Sequence, residues 1–280
     1  MNKYLQRLLL IIAGIYLVIM SSFVSPAFAQ FSYTSPTQKD KFVPVLIALT
    51  ESQIIFDFPE PTEGVKDKKL TLFSTFYFVH QAQASSATDA IALKNSSGTS
   101  LGVKLSKKDW CTAALEGTVQ VKTDSNTLKT FNFATTGTTA QTNCKPFFPS
   151  LKEAIIRAMN RSLFAPAKGS FGDGSGGFIL VPYRTIAVDK TVIPLGTVIY
   201  IPDARGKEVI LPSGKKVKHD GYFFAADVGS AIKGNKIDTF LGITNKNPFS
   251  HVKSDPSKTF TAFVITDTRI KSALNTLHKS

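Results

Sequence analysis

The chain has 280 residues, of which 43% are hydrophobic and 11% aromatic, so it is neither disordered nor fibrous. Thirty-three Lys and Arg residues against twenty Asp and Glu residues give a formal net charge of +13, which favours an anionic partner. The length predicts one large or two modest domains.

Residues 1–29 are predicted to form a signal peptide. Lys3 and Arg7 precede the apolar run 8–20, and Ala27 and Ala29 supply small residues where a signal peptidase cleaves. The apolar run is short for a membrane span, so we favour a cleaved signal peptide over the alternative of an uncleaved membrane anchor. We expect cleavage near Ala29, export to the periplasm or the medium, no stable membrane insertion afterwards, and a net charge lowered to +11. Export favours anionic wall polymers over nucleic acid as the partner. The alternative that the positive charge serves solubility alone stays open.

Residues 30–149 are predicted to form a β-rich N-terminal domain, because runs such as 70–79 and 117–121 alternate apolar and polar side chains. Cys111 and Cys144 both lie in this domain. In an oxidising setting they are most simply one structural disulfide, whose loop of roughly 34 residues would stabilise the fold by about 4 kcal/mol. Two Cys residues are too few for a metal cage.

Residues 150–165 are predicted to form a connecting helix, since Leu151, Ile155 and Met159 recur at helical spacing after Pro149 and Ser150.

Residues 166–280 are predicted to form a small β-barrel. Strand-like segments are expected at 178–188, 197–201, 221–228 and 260–266, a hairpin connection at 202–220, and a short helical turn at 230–236. The glycine-rich segment 172–177 formally satisfies G-x-G-x-x-G but precedes a strand, whereas a dinucleotide-binding loop follows one. We interpret it as a flexible turn.

The sequence gives no sign of a metal site, a cofactor or an activated nucleophile. The four His residues are scattered, with no metal-ligand spacing, and no G-x-S-x-G segment marks a serine nucleophile.

Two carboxylates form the strongest candidate site. Asp227 ends an apolar strand, and Asp238 stands among apolar residues after a strand-turn-helix-turn connection that can bring both to one mouth. One would then be desolvated with a raised pKa while the other stays ionised, which suits a general acid. The alternative is that Asp227 caps the helical turn and Asp238 binds backbone amides.

Five short motifs resemble the three-aspartate (3D) domain, a double-psi β-barrel of the membrane-bound lytic transglycosylase A family and related cell-wall proteins. They are Ala187-Val-Asp189, Ile193-Pro-Leu-Gly196, Ala226-Asp-Val-Gly229, Ala231-Ile-Lys-Gly234 and Ile237-Asp238. The resemblance implies a mainly β fold with a C-terminal double-psi barrel. It also implies that Asp238 is the single acid/base, with Asp227 beside it.

The implied reaction cleaves the bond between N-acetylmuramic acid and N-acetylglucosamine and forms a 1,6-anhydro ring. Asp238 protonates the glycosidic oxygen and then takes the proton of the muramyl 6-hydroxyl as that oxygen attacks C1. Because the nucleophile is intramolecular, one carboxyl serves both steps.

Further residues complete the predicted site. Asp189 is either barrel scaffolding or active-site support. Lys233 either meets a substrate carboxylate or is a solvated lysine, and Tyr183 either stacks on a sugar or fills the barrel. Ser230, where the family often has glycine, and Thr239 complete the predicted substrate-binding set.

Three functions remain open: an exported lytic transglycosylase acting on peptidoglycan glycan strands, a non-catalytic glycan-binding module, and a hydrolase using both aspartates. A groove over Asp238 formed by the N-terminal domain would favour an enzyme, and an open surface would favour the module. We expect a monomer.

Overall fold

The computed structural model describes residues 56–279, so the predicted signal peptide lies outside the described residues. The described part contains strands and three α-helices. In chain order they are β1 (Lys66–Tyr77), β2 (His80–Gln83), β3 (Ile91–Lys94), β4 (Ser100–Leu105), α1 (Lys107–Glu116), β5 (Thr118–Lys122), β6 (Leu128–Thr136), α2 (Glu153–Met159), β7 (Ser162–Pro166), β8 (Thr185–Val188), β9 (Val198–Tyr200), β10 (Glu208–Ile210), β11 (Lys216–Lys218), β12 (Tyr222–Asp227), β13 (Lys236–Phe240), β14 (Phe260–Ile265) and α3 (Thr268–Leu277). The predicted mainly β class is confirmed. Among residues 56–279, no helix is long and apolar enough to span a membrane.

Six strands form a closed barrel in the order β1-β13-β8-β12-β9-β14. Strand β1 pairs in parallel with β13 and antiparallel with β14, so it closes the cylinder. The interior is apolar, with Ile186, Phe223 and Ile237 completely buried. Strand β1 comes from the segment 30–149, so the barrel is not built from residues 166–280 alone.

The disulfide lobe, residues 80–166, lies along the chain between β1 and β8. It holds the sheet β2-β5-β6-β7, the hairpin β3-β4, and the helices α1 and α2. Cys111 on α1 is bonded to Cys144, which confirms the predicted disulfide. Trp110 and Phe164 pack edge to face beside this bond at the centre of the lobe's core.

Helix α1, which was not predicted, begins and ends at clear local signals. The Ser106 hydroxyl accepts a hydrogen bond from the Asp109 amide, which caps the first turn. Gly117 ends the helix with φ of 79°, a left-handed conformation that glycine adopts without strain.

Several predicted elements are wrong. Residues 230–235 form turns and loop instead of a helical turn, with Gly234 at φ of 63°, and Lys236 already begins β13. Only 185–188 of the expected strand 178–188 forms, since Pro182 and Tyr183, the latter at φ of 60°, turn the chain first. The predicted helix 150–165 is limited to α2, and residues 162–166 form β7. Helix α3, capped by Asp267, was not predicted.

Candidate active site

Asp227 and Asp238 are brought together by strand register. Strand β8 lies between β13 and β12, and Ala187 on β8 is the pairing partner of Asp238 on one side and Asp227 on the other. A register shift between Ala225 and Asp227 places the second carboxylate at this level. The two aspartates are therefore neighbours across β8, as expected, with Asp238 in the middle of a strand.

The carboxyl group of Asp238 accepts a hydrogen bond of 2.7 Å from the hydroxyl of Thr75. Thr75 is the residue opposite Asp238 in the β1–β13 pairing, so the strand itself supplies this donor. Burial raises the pKa of Asp238 to about 6, against the lowering effects of the Thr75 bond and of Lys236, while the charge of Asp227 raises it further. Asp238 thus keeps a proton at mildly acidic pH.

Asp227 is held from three sides. One carboxyl oxygen accepts hydrogen bonds from the Ser175 hydroxyl at 3.1 Å and the Val228 amide at 2.8 Å, and the other accepts one from the Tyr77 hydroxyl at 3.0 Å. Burial raises the pKa of Asp227 while these donors lower it. The pKa of Tyr77 is raised well above its usual value by burial and by the two aspartates, so its hydroxyl stays a donor.

Ser175 reaches Asp227 because the glycine-rich segment 172–177 lies against the end of β12. The Ser175 amide donates to the Ala226 carbonyl at 2.8 Å. A Cβ atom at Gly174 would clash with that same carbonyl oxygen, so only glycine permits this approach. The segment is the turn that the sequence predicted, but it also delivers a functional side chain.

Glu116, the last residue of α1, brings a third carboxyl group to this region. Its Oε2 atom accepts a long hydrogen bond of 3.5 Å from the amide of Phe78, which directly follows Tyr77. Burial raises the pKa of Glu116 to about 7, the Phe78 amide lowers it, and the charge of Asp238 raises it. The disulfide lobe therefore contributes a carboxyl group beside the residue that follows Tyr77.

Asp189 does not join the aspartate pair. Its carboxyl group accepts hydrogen bonds from the Gly234 amide at 2.9 Å and from the Thr191 hydroxyl and amide. These bonds, led by that from Gly234, lower the pKa of Asp189 to about 2. Asp189 therefore holds the turn that leads into β13, which is compatible with scaffolding, and its role stays a prediction.

The predicted substrate-binding residues are dispersed. Tyr183 is 2% exposed and its hydroxyl donates to the Ile210 carbonyl, so it fills the barrel core and presents no ring for stacking. Thr239 is fully buried and hydrogen-bonded to Ser74 at 2.9 Å, which removes it from any substrate. Lys233 and Ser230 are exposed on the loop between β12 and β13.

Sequence reasoning missed Thr75, Tyr77, Ser175 and Glu116 as site residues. For β1 a signal existed: Thr75 and Tyr77 are alternate polar positions in an apolar strand, so both point to one face. For Ser175 and Glu116 no local pattern marks the role. Among residues 56–279, no group of three or more His, Cys, Asp or Glu residues is arranged to hold a metal ion.

Comparison with known proteins points to the same stretch of chain. Residues 184–248 match the family model described as the 3D domain, which confirms the predicted resemblance there and includes Asp189, Asp227 and Asp238. A protein of Bacillus subtilis (strain 168) named for cell wall shaping, YabE, is 46% identical over 58 residues. That match spans 21% of this chain and a tenth of the relative.

Solved structures show a weaker likeness. MltA from E. coli with bound chitohexaose is 18% identical, with a TM-score of 0.45 over 70% of this chain and 72% of that one. MltA from Neisseria gonorrhoeae is 13% identical, with a TM-score of 0.45 over 71% and 74%. The lytic transglycosylase LtgG of Burkholderia pseudomallei is 18% identical, with a TM-score of 0.39 over 71% and 73%.

Proposed function

We propose that this protein is an exported lytic transglycosylase that cleaves peptidoglycan glycan strands with Asp238 as the acid/base. The observation that carries the proposal is the pairing of Asp238 with Asp227 across Ala187, in surroundings that raise the pKa of Asp238 to about 6. The 3D-domain match over 184–248 supports the same residues. As parts of the same proposal, the barrel has the double-psi topology, the chain is cleaved near Ala29, and the mature protein lies in the periplasm or the medium.

The proposed mechanism uses one carboxyl twice. Protonated Asp238 donates to the glycosidic oxygen, the C1–O bond breaks, and positive charge develops at C1 of the muramyl residue. The muramyl 6-hydroxyl then attacks C1 and gives its proton to the Asp238 carboxylate, which restores the acid and yields the 1,6-anhydro product.

Asp227 stays beside Asp238 throughout this cycle. Its negative charge raises the pKa of Asp238 and helps to keep the proton that the first step needs. The donors from Tyr77 and Ser175 stabilise the ionised form of Asp227 against the effect of burial and fix its orientation. Thr75 fixes the orientation of Asp238 itself, which suits a residue that must face the glycosidic oxygen and then the 6-hydroxyl.

The surroundings of the pair favour an enzyme over a binding module. Both aspartates are partly buried, and residues from outside the matched segment 184–248 complete their environment: Thr75 and Tyr77 from β1, and Glu116 from the disulfide lobe. A module that only orients glycan has no use for a carboxylic acid desolvated in this way.

A hydrolase is the second candidate, and Glu116 is the observation that favours it. A retaining or inverting glycosidase needs two carboxyl groups flanking the bond, and Glu116 is a second carboxyl that senses Asp238. Such an enzyme would release reducing-end sugars.

Mass spectrometry of muropeptides from purified sacculi separates these functions. We expect 1,6-anhydro-muropeptides from the wild-type protein and none from Asp238→Asn. Reducing-end products would establish the hydrolase. Binding of the protein to sacculi without release of any product would favour the non-catalytic glycan-binding module. Undiminished product from Asp238→Asn would overturn the assignment of Asp238 as the acid/base.

A further inference from the structure

The outer face of the barrel wall, opposite the apolar interior, carries a cation next to the proposed acid. Burial alternates along β13: Lys236 and Asp238 are partly exposed, whereas Ile237 between them is buried in the interior. Successive side chains of a strand point to opposite faces, so Lys236 and Asp238 share the outer face, with their Cα atoms about 6.6 Å apart. The strand therefore fixes where the lysine lies relative to the acid.

Strand β1 adds an aromatic ring to the same face. In the parallel pairing of β1 with β13, Thr75 is the partner of Asp238. Two residues earlier on each strand, Phe73 is the partner of Lys236. Both neighbours of Phe73 along β1 are buried, whereas Phe73 itself is partly exposed. The Phe73–Lys236 pair therefore lies side by side on the outer face, directly beside the pair that holds the proposed acid.

The charge of Lys236 is not neutralised within residues 56–279. None of the ion pairs there includes Lys236, and neither does any contact between a cation and an aromatic ring. The carboxyl group of Asp189 accepts hydrogen bonds from Gly234 and Thr191 instead. A partly buried ammonium group is less screened by water than a fully exposed one, so it gains more from an anionic ligand.

We propose that Phe73 and Lys236 form a subsite that binds a carboxylate-bearing sugar residue of the glycan beside the bond that is cleaved. Lys236 pairs with the carboxylate, and Phe73 packs against the apolar face of the sugar ring. The inference deepens the proposed function and rests on it for the substrate. In peptidoglycan the carboxylate comes from the lactyl group of a muramyl residue without a peptide or from the stem peptide, and the chemistry that is recognised is the same.

Lys236 suits this role better than Lys233, which the sequence analysis placed in the substrate-binding set. Lys233 is exposed on the loop between β12 and β13, and its charge acts on Asp189. Lys236 lies on a strand that is paired with β1 and β8, and it shares its face with Asp238. A cation on a paired strand can hold the sugar in a constant position relative to the acid.

The test is the binding of charged and neutral glycans to the full chain carrying Asp238→Asn, here called the host. This change is expected to prevent cleavage, and it removes any effect of Lys236 on the titration of Asp238. The probes for calorimetry are peptide-free glycan strands with lactyl carboxylates, peptide-bearing glycan strands, and neutral chitohexaose. We expect Lys236→Gln to weaken binding of a carboxylate-bearing glycan by about five- to tenfold and of chitohexaose by less than about twofold. The charged probe that loses more affinity identifies the source of the carboxylate.

Three further variants of the host control this result. Lys236→Arg keeps the charge and should keep the preference for charged glycans. Phe73→Leu keeps an apolar side chain but removes the ring, so all three probes should bind about threefold to tenfold more weakly. Lys104, an exposed lysine between two buried residues on β4, is the matched control, and Lys104→Gln should change no affinity.

Several results would overturn the subsite. If the host binds none of the probes, or if folded Lys236→Gln binds each probe as the host does, Lys236 recognises no carboxylate. An equal loss for chitohexaose and for the charged glycans would exclude charge recognition. A loss of charge preference confined to Lys233→Gln would assign the role to Lys233.

Failure of the subsite and failure of the proposed function give different results. Binding that depends on Lys236, in a protein that releases no muropeptide as wild type, would contradict the proposed function alone. Release of 1,6-anhydro-muropeptides by wild type, together with glycan binding that Lys236→Gln does not change, would contradict the subsite alone.

Discussion

At the scale of single residues, Asp238 illustrates a conflict between function and stability. Its folded-state pKa of about 6 lies above the unfolded value of 3.8, so ionising it costs the folded protein free energy as the pH rises from about 4 to 6. Above pH 6 the whole cost is present, and below pH 4 there is none. The folded protein carries this cost because Asp238 is held in partly buried surroundings beside Asp227.

Asp238→Asn should therefore be inactive but more stable. We expect muropeptide release to fall roughly 1,000-fold or more. We also expect the free energy of unfolding at pH 7 to rise by on the order of 1–3 kcal/mol, a gain that vanishes below pH 4. Denaturant titrations at pH 3.5 and pH 7 measure this. The exposed Asp203→Asn is the control, and a variant no more stable than wild type at pH 7 would contradict the desolvated environment of Asp238.

Tyr77→Phe tests the support of Asp227. The variant keeps the ring contact with Phe240, whose centroid is 5.0 Å away, and loses the donor to Asp227. Loss of one hydrogen bond to a carboxylate should lower the rate by about tenfold to 100-fold with little change in thermal stability. Tyr183→Phe loses a tyrosine hydroxyl buried in the core and should keep near-wild-type kinetics. Equal activity losses in both variants would show that the Tyr77 hydroxyl has no special part.

Some of this site was predictable from residues alone. Asp227 and Asp238 stand out because each is a charge beside an apolar strand, a pattern that needs a structural reason. Thr75 and Tyr77 show only that they share one face of β1; that this face meets the aspartates depends on the pairing of β1 with β13, more than 150 residues later in the chain. Pairing between strands that far apart has no local signal.

At the scale of elements, helix α1 and its disulfide determine where Glu116 lies. The bond joins residues 33 apart and anchors the helix into a core that includes Trp110 and Phe164. The predicted disulfide needed only the cysteine count and the expectation of export. The effect of the disulfide on the site could not be predicted without helix α1. That helix was missed because its Ser106 cap and its Gly117 stop were not considered.

Replacing both cysteines by alanine should destabilise the disulfide lobe by about 2–5 kcal/mol. Thermal unfolding and the rate of muropeptide release, at temperatures where the barrel stays folded, are the measurements. A variant that unfolds at a lower temperature but keeps the wild-type rate would separate the disulfide from the site.

At the scale of the whole molecule, buried histidines oppose the carboxyl groups in their pH dependence. His219, His251 and His278 have pKa values lowered by burial to about 3, 4 and 3. Each is neutral when folded but binds a proton near pH 6.5 when unfolded, so the free energy of unfolding falls as the pH drops below 6.5. The carboxyl groups with raised pKa values act in the opposite direction, since they lower the free energy of unfolding as the pH rises above 4.

His251→Phe isolates one of these groups. His251 lies among Phe223, Phe249 and Phe260, with both ring nitrogens buried and without a hydrogen-bond partner in the described part of the chain. The stability difference between variant and wild type should grow as the pH falls from 6.5 to 4 and reach on the order of 2–3 kcal/mol. Above pH 7.5 both side chains are uncharged, and there the difference should be constant. A difference that does not depend on pH would contradict the buried neutral state.

The closure of the barrel by β1 affects how the chain reaches its native state. Residues 66–77 bond to residues 236–240 and 260–265, so the cylinder has very high contact order and cannot form until nearly all of those residues have been synthesised. A fragment restricted to residues 184–248 would lack two of the six barrel strands, β1 and β14. Strands β13 and β9 would then have unpaired edges, which favour strand pairing between molecules. In this protein, the most recognisable stretch of sequence is therefore not an autonomous folding unit.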